Sequence, residues 1–319
     1  MDRRLRFAAF VAAMFLVAAC TANPSTVSTA GPPGSIAAIP SATPTATSTP
    51  EPTPAPIPTE NLTEAIDLAN FSASSTVTSE WFPLTPGTRW TWEGSARIDG
   101  KRVPRKVVFT VTDLTKVISG VRAVVGYDLD YTGGVLEEAE IALWAQDDDG
   151  FVWHLGQYPE VYEDGEIAET PAWIHGIEDA KAGISMKAEP HPFAPSYSQG
   201  WGPAVGWTDR ARVFEMGSKT CVPLGCYDDV LVIDEFNRDE PDAHQLKYYV
   251  RAVGNVRVGW AGANEEEQEV LELTKFEHLG PEALAKVRET VLAQDARGYK
   301  TSPKVYGLTP PAESSTPAS

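Results

Sequence analysis

Val121-Arg122-Ala123-Val124-Val125-Gly126-Tyr127-Asp128-Leu129-Asp130-Tyr131 runs into Thr132-Gly133-Gly134, and Val135-Leu136-Glu137-Glu138-Ala139-Glu140-Ile141-Ala142-Leu143-Trp144 follows. Two runs rich in β-branched and aromatic residues around a Gly-Gly turn read as a β-hairpin. The same pattern continues on both sides of it. Upstream, Arg89 to Glu93 alternates and puts Trp90 and Trp92 on one face, while Val107, Phe109 and Val111 alternate with Val108, Thr110 and Thr112. Downstream, turns are predicted at Asp149-Gly150 and Asp164-Gly165. Further on, Leu246, Tyr248 and Val250 share a face opposite Lys247 and Arg251, and Val256 to Trp260 and Val270 to Phe276 complete the set. Ten or more strands joined by short hairpins predict a mainly β fold, an antiparallel meander closed into a barrel or curved into a half-barrel. The turn-rich stretch from Pro190 to Pro203 is expected to interrupt the meander with a long loop. One amphipathic C-terminal helix is predicted over 282–294, with Pro281 at its first position and Leu284, Val287 and Val291 at helical spacing.

The N-terminus carries an address. Arg3, Arg4 and Arg6 precede thirteen apolar residues, Phe7 to Ala19, too few to span a bilayer and the right length for a secretory signal. The end of that run, Leu16-Val17-Ala18-Ala19-Cys20, resembles a bacterial lipobox. The resemblance implies cleavage before Cys20 and acylation of its thiol with chains such as palmitate. Two or more chains anchor a protein stably where one does not. From residue 21 to residue 60 the chain holds ten Pro, nine Thr and five Ser with no aromatic, Lys or Arg, a composition unable to offset its ordering entropy by burial. The expected layout is a signal peptide over 1–19, a lipidated cysteine and tether over 20–78, a β-domain over 79–279, the helix over 280–300 and a flexible tail over 301–319.

With Cys20 lipidated, Cys221 and Cys226 remain as an even pair in an oxidising compartment. They bracket Val222-Pro223-Leu224-Gly225, whose Pro and Gly favour a tight turn, so a disulfide is expected. A net charge of −18 argues against a nucleic-acid partner, whose phosphates are met by Lys and Arg.

Sites for catalysis are hard to find in the sequence. Gly183-Ile184-Ser185-Met186-Lys187 lacks the second glycine of a nucleophile elbow. Histidines 154, 175, 191, 244 and 278 form no His-Glu-x-x-His pair, and Asp147-Asp148-Asp149-Gly150 lacks the later ligands of a calcium loop, so neither metal nor cofactor is expected. Glu137-Glu138-Glu140 and Glu265-Glu266-Glu267 read as solvated strand edges and loop. Trp201 and Trp207 lie in a Gly/Pro-rich segment and are the candidate ligand contacts.

Gln146 to Trp153 is similar to the Asp-box hairpin, which implies a structural role for Asp148, Gly150 and Trp153. On a larger scale, Phe82-Pro83-Leu84-Thr85-Pro86-Gly87-Thr88-Arg89-Trp90 resembles the opening of a group of bacterial exported proteins with no established activity. Trp144-Ala145-Gln146-Asp147, Gly150-Phe151-Val152-Trp153, Tyr227-Asp228-Asp229-Val230-Leu231 and Lys247-Tyr248-Tyr249 agree with that group in order. The resemblance implies an envelope β-domain over roughly residues 80–276. By architecture alone it is also similar to the half-barrels of lipoprotein carriers.

The expected protein is therefore a lipid-anchored lipoprotein of the bacterial cell envelope, facing outside the cytoplasm. Its partners are the membrane, through the anchor, and a small ligand or envelope polymer. A non-enzymatic module binding a lipid, glycan or peptide leads; a glycan-directed hydrolase and a structural or assembly partner are the alternatives. Replacing Cys20 with Ser is expected to move the protein from the membrane fraction to the soluble fraction, and a variant that still sediments with membranes contradicts the anchor.

Overall fold

A computed structural model describes residues 61–315. The predicted signal peptide, Cys20 and most of the tether lie outside the described residues. Sixteen strands and one long helix make up the domain. The first eight strands are β1 (Thr88–Ile98), β2 (Lys101–Ile118), β3 (Val121–Thr132), β4 (Val135–Gln146), β5 (Val152–Glu163), β6 (Glu166–Glu169), β7 (Trp173–Ile174) and β8 (Lys181–Met186). Two short strands, β9 (Tyr197–Ser198) and β10 (Gly200–Trp201), then precede β11 (Arg210–Val222), β12 (Gly225–Phe236), β13 (His244–Val250), β14 (Gly254–Ala261) and β15 (Val270–His278). Helix α1 (Pro281–Thr301) and β16 (Glu313–Ser314) end the chain.

All strand pairs are antiparallel, in the order β10-β8-β5-β4-β3-β2-β1-β15-β14-β13-β12-β11-β9. Two runs of hairpins thus meet where β1 pairs with β15. Register shifts at Thr91/Trp92, Val111/Thr115, Asp130/Tyr131, Leu143/Trp144 and Tyr248/Tyr249 bend the strands, because each extra residue kinks its strand and increases its twist. The result is a strongly curved sheet that is not closed. Its two terminal strands are nevertheless consecutive in sequence. Tyr197–Ser198 pairs with β11 at one end of the path, and Gly200–Trp201 pairs with β8 at the other. The expected interruption after Pro190 is therefore the corner at which the two ends of the sheet come together.

Helix α1 packs against β2 and β4. Gly280 precedes it in an extended conformation and Pro281 opens it, where a missing N–H costs nothing. It buries Val287 and Val291 as predicted, and also Gln294, Asp295 and Gly298. The buried Asp295 is satisfied by Lys116, whose Nζ donates to it at 2.7 Å and also to the Tyr299 hydroxyl at 2.9 Å and the Pro310 carbonyl at 2.7 Å. Arg297 clamps Glu160 with two bonds of 2.9 and 2.7 Å, a bidentate geometry that is among the stronger protein contacts.

Three boundaries differ from expectation. Residues 61–78 lie against the domain instead of ending the tether: Ser198 N donates to Glu64 at 2.9 Å and Thr78 N to Gln146 at 2.6 Å. Residues 302–315 are docked, with Tyr306 buried and β16 paired to β2. In β13, Lys247 is buried and Tyr248 only half so, because the concave face of the curved sheet takes polar side chains.

The corner is held by backbone contact. A Cβ on Gly183 of β8 would lie 2.1 Å from the Gln199 carbonyl carbon and from Gly200 N. Gly183→Ala is expected to cost about 2–3 kcal/mol by overpacking, a fall of roughly 5–10 °C in Tm. Gly280→Ala, where a Cβ meets open space, serves as control and should stay within about 0.5 kcal/mol. Equal Tm values for the two variants would contradict the corner contact.

Candidate functional site

Period-two alternation puts Gly126, Asp128 and Asp130 of β3 on the same face as Ala142, Glu140 and Glu138 of β4, each directly opposite its partner. Gly126 is required there: a Cβ would lie 2.5 Å from the Trp144 ring and 2.6 Å from the Phe109 ring. Those two rings meet edge to face, centroids 5.4 Å apart. From them an unbroken aromatic series runs along the concave face. Phe109 touches Trp90, which stacks on Trp92; Trp144 stacks on His154, and His154 packs edge-on against both Trp173 and Trp207.

This face lines a half-open cavity of about 150 Å³. Its walls are aromatic, with Phe82, Trp90, Trp92, Phe109, Trp144, Trp207 and Tyr249 contributing, and its polar groups are Asp128, Glu140, His154, Gln157, Glu235 and Lys247. Most of the indole N–H groups are satisfied by the protein. Trp90 donates to the Val253 carbonyl at 2.7 Å, Trp92 to the Asn255 carbonyl at 3.1 Å and Trp144 to the Ser185 hydroxyl at 3.0 Å. Two polar atoms of the lining have no partner in the protein, Trp207 Nε1 and His154 Nε2, on side chains 7% and 6% exposed. Buried polar atoms are rarely left so, and the exceptions need a reason.

Enclosure controls the charges. Burial pushes Asp128 up to about 6, against the Leu129 N–H and Lys247, which favour its ionised form. Glu140 is pushed up to about 8, first by burial and then by Asp128 facing it. His154 is pushed down to about 3 by burial and is neutral at physiological pH. Lys247 forms an ion pair with Glu235, and Glu235 also accepts a 2.7 Å bond from Gln199. At neutral pH the cavity therefore holds a protonated Glu140, an ionised or half-ionised Asp128 and a paired lysine. Such a set donates and accepts hydrogen bonds from one wall.

The residues singled out from sequence fall in different places. Trp207 lines the cavity; Trp201, half-buried and paired with Lys181 in β10, does not. The Gln146–Trp153 turn is tied by Asp147, not by Asp148. Asp147 accepts from the Trp153 indole at 2.7 Å and from Phe151 N at 2.8 Å, while Asp148 accepts from Ser72. Gly150 takes a positive φ of 93° in that turn. Cys221 and Cys226 form a disulfide across the β11–β12 hairpin. The reading of Glu137-Glu138-Glu140 as a solvated edge is corrected: Glu138 is buried and Glu140 lines the cavity. Glu265 caps its own loop, accepting from Glu267 N and Gln268 N. Sequence reasoning missed Asp128, Glu140, His154, Glu235 and Lys247. The signal was present in matched acidic positions on the two arms of one hairpin.

No family model and no curated protein matches the chain. Two solved structures are similar to it at a low level. A protein described as exported, with a YmcC-like fold, from Bacteroides fragilis is 14% identical with a TM-score of 0.37, over 63% of this chain and 100% of that one. A protein described as a lipoprotein, from Parabacteroides distasonis, is 14% identical with a TM-score of 0.35, over 62% of this chain and 99% of that one.

The raised carboxyl of Glu140 has a consequence for stability. Its folded value is about 8 against an ordinary 4.5, so between these pH values the unfolded state binds fewer protons and stability falls as pH rises. His154 acts oppositely, adding stability as pH rises from about 3 to 6.5. Glu140→Gln removes only the first effect. The Tm of the variant minus that of the parent should therefore increase steadily from pH 4.5 to pH 8. A difference independent of pH would show that Glu140 is not enclosed.

Proposed function

We propose that the chain is a lipid-anchored protein of the bacterial cell envelope, facing outside the cytoplasm, whose β-domain binds a small ligand by enclosing one ring-sized group. The anchor and address rest on Leu16-Val17-Ala18-Ala19-Cys20 and the apolar run before it. The binding reading is carried by one observation, the aromatic-walled cavity with the Asp128 and Glu140 carboxyls on one wall. A cavity of about 150 Å³ accommodates benzene in an engineered protein core, so this one suits a single ring and not a long acyl chain. Among lipid, glycan and peptide, a sugar ring fits its chemistry best. Flat indole and phenyl faces cover the apolar faces of the ring, and the carboxyls meet its hydroxyls.

A hydrolase is the second reading, and one observation favours it: two adjacent carboxyls whose proton affinities are pushed to different values, as acid and base require. Their placement weighs against it. Glycoside hydrolysis needs carboxyls on either side of the scissile bond, whereas Asp128 and Glu140 are cross-strand neighbours on one wall.

Native mass spectrometry of the protein purified from its own envelope should reveal a copurified ligand of one or a few rings. With that ligand, Trp207→Phe and Trp144→Ala are each expected to weaken binding by more than about 1 kcal/mol, and Trp201→Ala to leave it unchanged. A ligand whose binding responds to Trp201→Ala alone would move the site out of the cavity. Turnover of the ligand abolished by Glu140→Gln would establish the hydrolase instead.

A further inference from the structure

The concave face carries two carboxylate pairs one step apart on the β3–β4 hairpin: Asp130 opposite Glu138, and Asp128 opposite Glu140. Like charges directly opposite each other destabilise a sheet, and enclosure strengthens the repulsion. In the first pair Asp130 has a cation in direct contact. Arg105 of β2, itself buried, forms an ion pair with Asp130 at 3.2 Å and further pairs with Glu137 and Glu269, each at 3.2 Å. The Asp128–Glu140 pair has no cation in direct contact among the described residues, although the Lys247 charge favours ionised Asp128. Among the described residues Asp128 accepts the N–H of Leu129, and neither carboxylate forms an ion pair. Lys247, the basic residue of the cavity lining, is held by Glu235. It is beside this unmatched pair that the cavity opens.

We propose that the Asp128–Glu140 pair is a subsite for an organic cation, so that the ring-sized ligand carries a protonated amine. This rests on reading the cavity as a binding site and names the class of ligand it takes. The amine sits against both carboxylates, as the Arg105 guanidinium sits against Asp130. Its ring lies along Trp144 and Phe109, whose π faces attract a desolvated cation. A cyclic amine or an amino sugar has both features. A metal ion is less suited, because among the described residues no three His, Cys, Asp or Glu side chains converge as its coordination would need.

Several charged groups face the subsite. Lys247 of β13 and Glu235 of β12 form the opposing pair, His154 of β5 is neutral, and Asp130, Glu138 and Arg105 occupy the neighbouring step. A bound ammonium favours the ionised form of both carboxyls, so the protons that enclosure keeps on them are released on binding.

Benzylamine and benzyl alcohol test this directly, since they match in size and differ in charge at pH 7. Isothermal titration of the purified full chain is expected to give benzylamine an affinity at least about tenfold higher, a difference of about 1.4 kcal/mol. Benzylamine should also release protons, seen as a binding heat that changes with the ionisation enthalpy of the buffer. In the Asp128→Asn, Glu140→Gln double variant the tenfold preference should vanish while benzyl alcohol affinity is retained. Equal affinity for the two probes in the parent protein overturns the cation subsite and leaves the cavity reading standing. Binding of neither probe overturns both. The comparison within the parent protein holds even where the double variant does not fold.

Discussion

Four carboxylates are forced onto the concave face of one hairpin by the two-residue period of its strands. Asp128 and Asp130 cannot turn outward without carrying Tyr127 and Leu129 inward, because a slip of one residue exchanges the faces of the whole strand. The rest of the interior is arranged around them. Arg105 reaches across from β2 to form an ion pair with Asp130, and Gly126 leaves room for Trp144 and Phe109 beside Asp128 and Glu140. The neighbouring strands β12 and β13 contribute a Glu235–Lys247 ion pair, whose lysine favours ionised Asp128 without contacting it directly. What remains is a small volume with aromatic walls and two carboxyls, of which burial keeps Glu140 protonated at neutral pH.

The contrast with the outer side of the sheet separates scaffold from site. There, under α1, every prominent charge is matched. Lys116 meets Asp295 within a ring of Tyr299, Tyr306 and the Pro310 carbonyl, and Glu160 is saturated by Arg297, Tyr158 and Tyr162. Buried pairs of that kind specify how the helix docks, and breaking one leaves a costly lone charge. The inner acids have raised proton affinities and two unpartnered polar atoms for neighbours. Perturbed groups gathered in a concave, aromatic space are the pattern by which binding sites differ from structural ion pairs.

Much of this architecture was legible in the sequence. Gly133-Gly134, Asp149-Gly150 and Asp164-Gly165 mark real turns, Trp90 and Trp92 share a face, and Val287 and Val291 dock the helix. The interior was not legible, for a physical reason. Alternation tells that two faces differ, but a curved sheet can enclose its polar face, and Glu138, Glu140 and Lys247 then look like solvent-facing residues in sequence. The corner at Tyr197–Trp201 was equally hidden, since it depends on two sheet ends that are remote in sequence meeting over Gly183. Trp207 could be singled out by its Gly/Pro-rich surroundings, but the same argument selected Trp201, which the pairing with β8 holds away from the cavity. The Asp-box likeness located the right turn and the wrong aspartate, because a shift of one residue in a tight turn redirects the carboxylate.

The central claim is that Glu140 lies inside the domain, in a cavity shared with Asp128, and not on a wetted strand edge. Carbon-13 carboxyl NMR of the purified protein, with Glu140 assigned by its Gln variant, measures this group's titration directly. The account predicts a midpoint near about 8 for Glu140, with Asp128 titrating near about 6. A single titration at the ordinary glutamate value of 4.5 would contradict it.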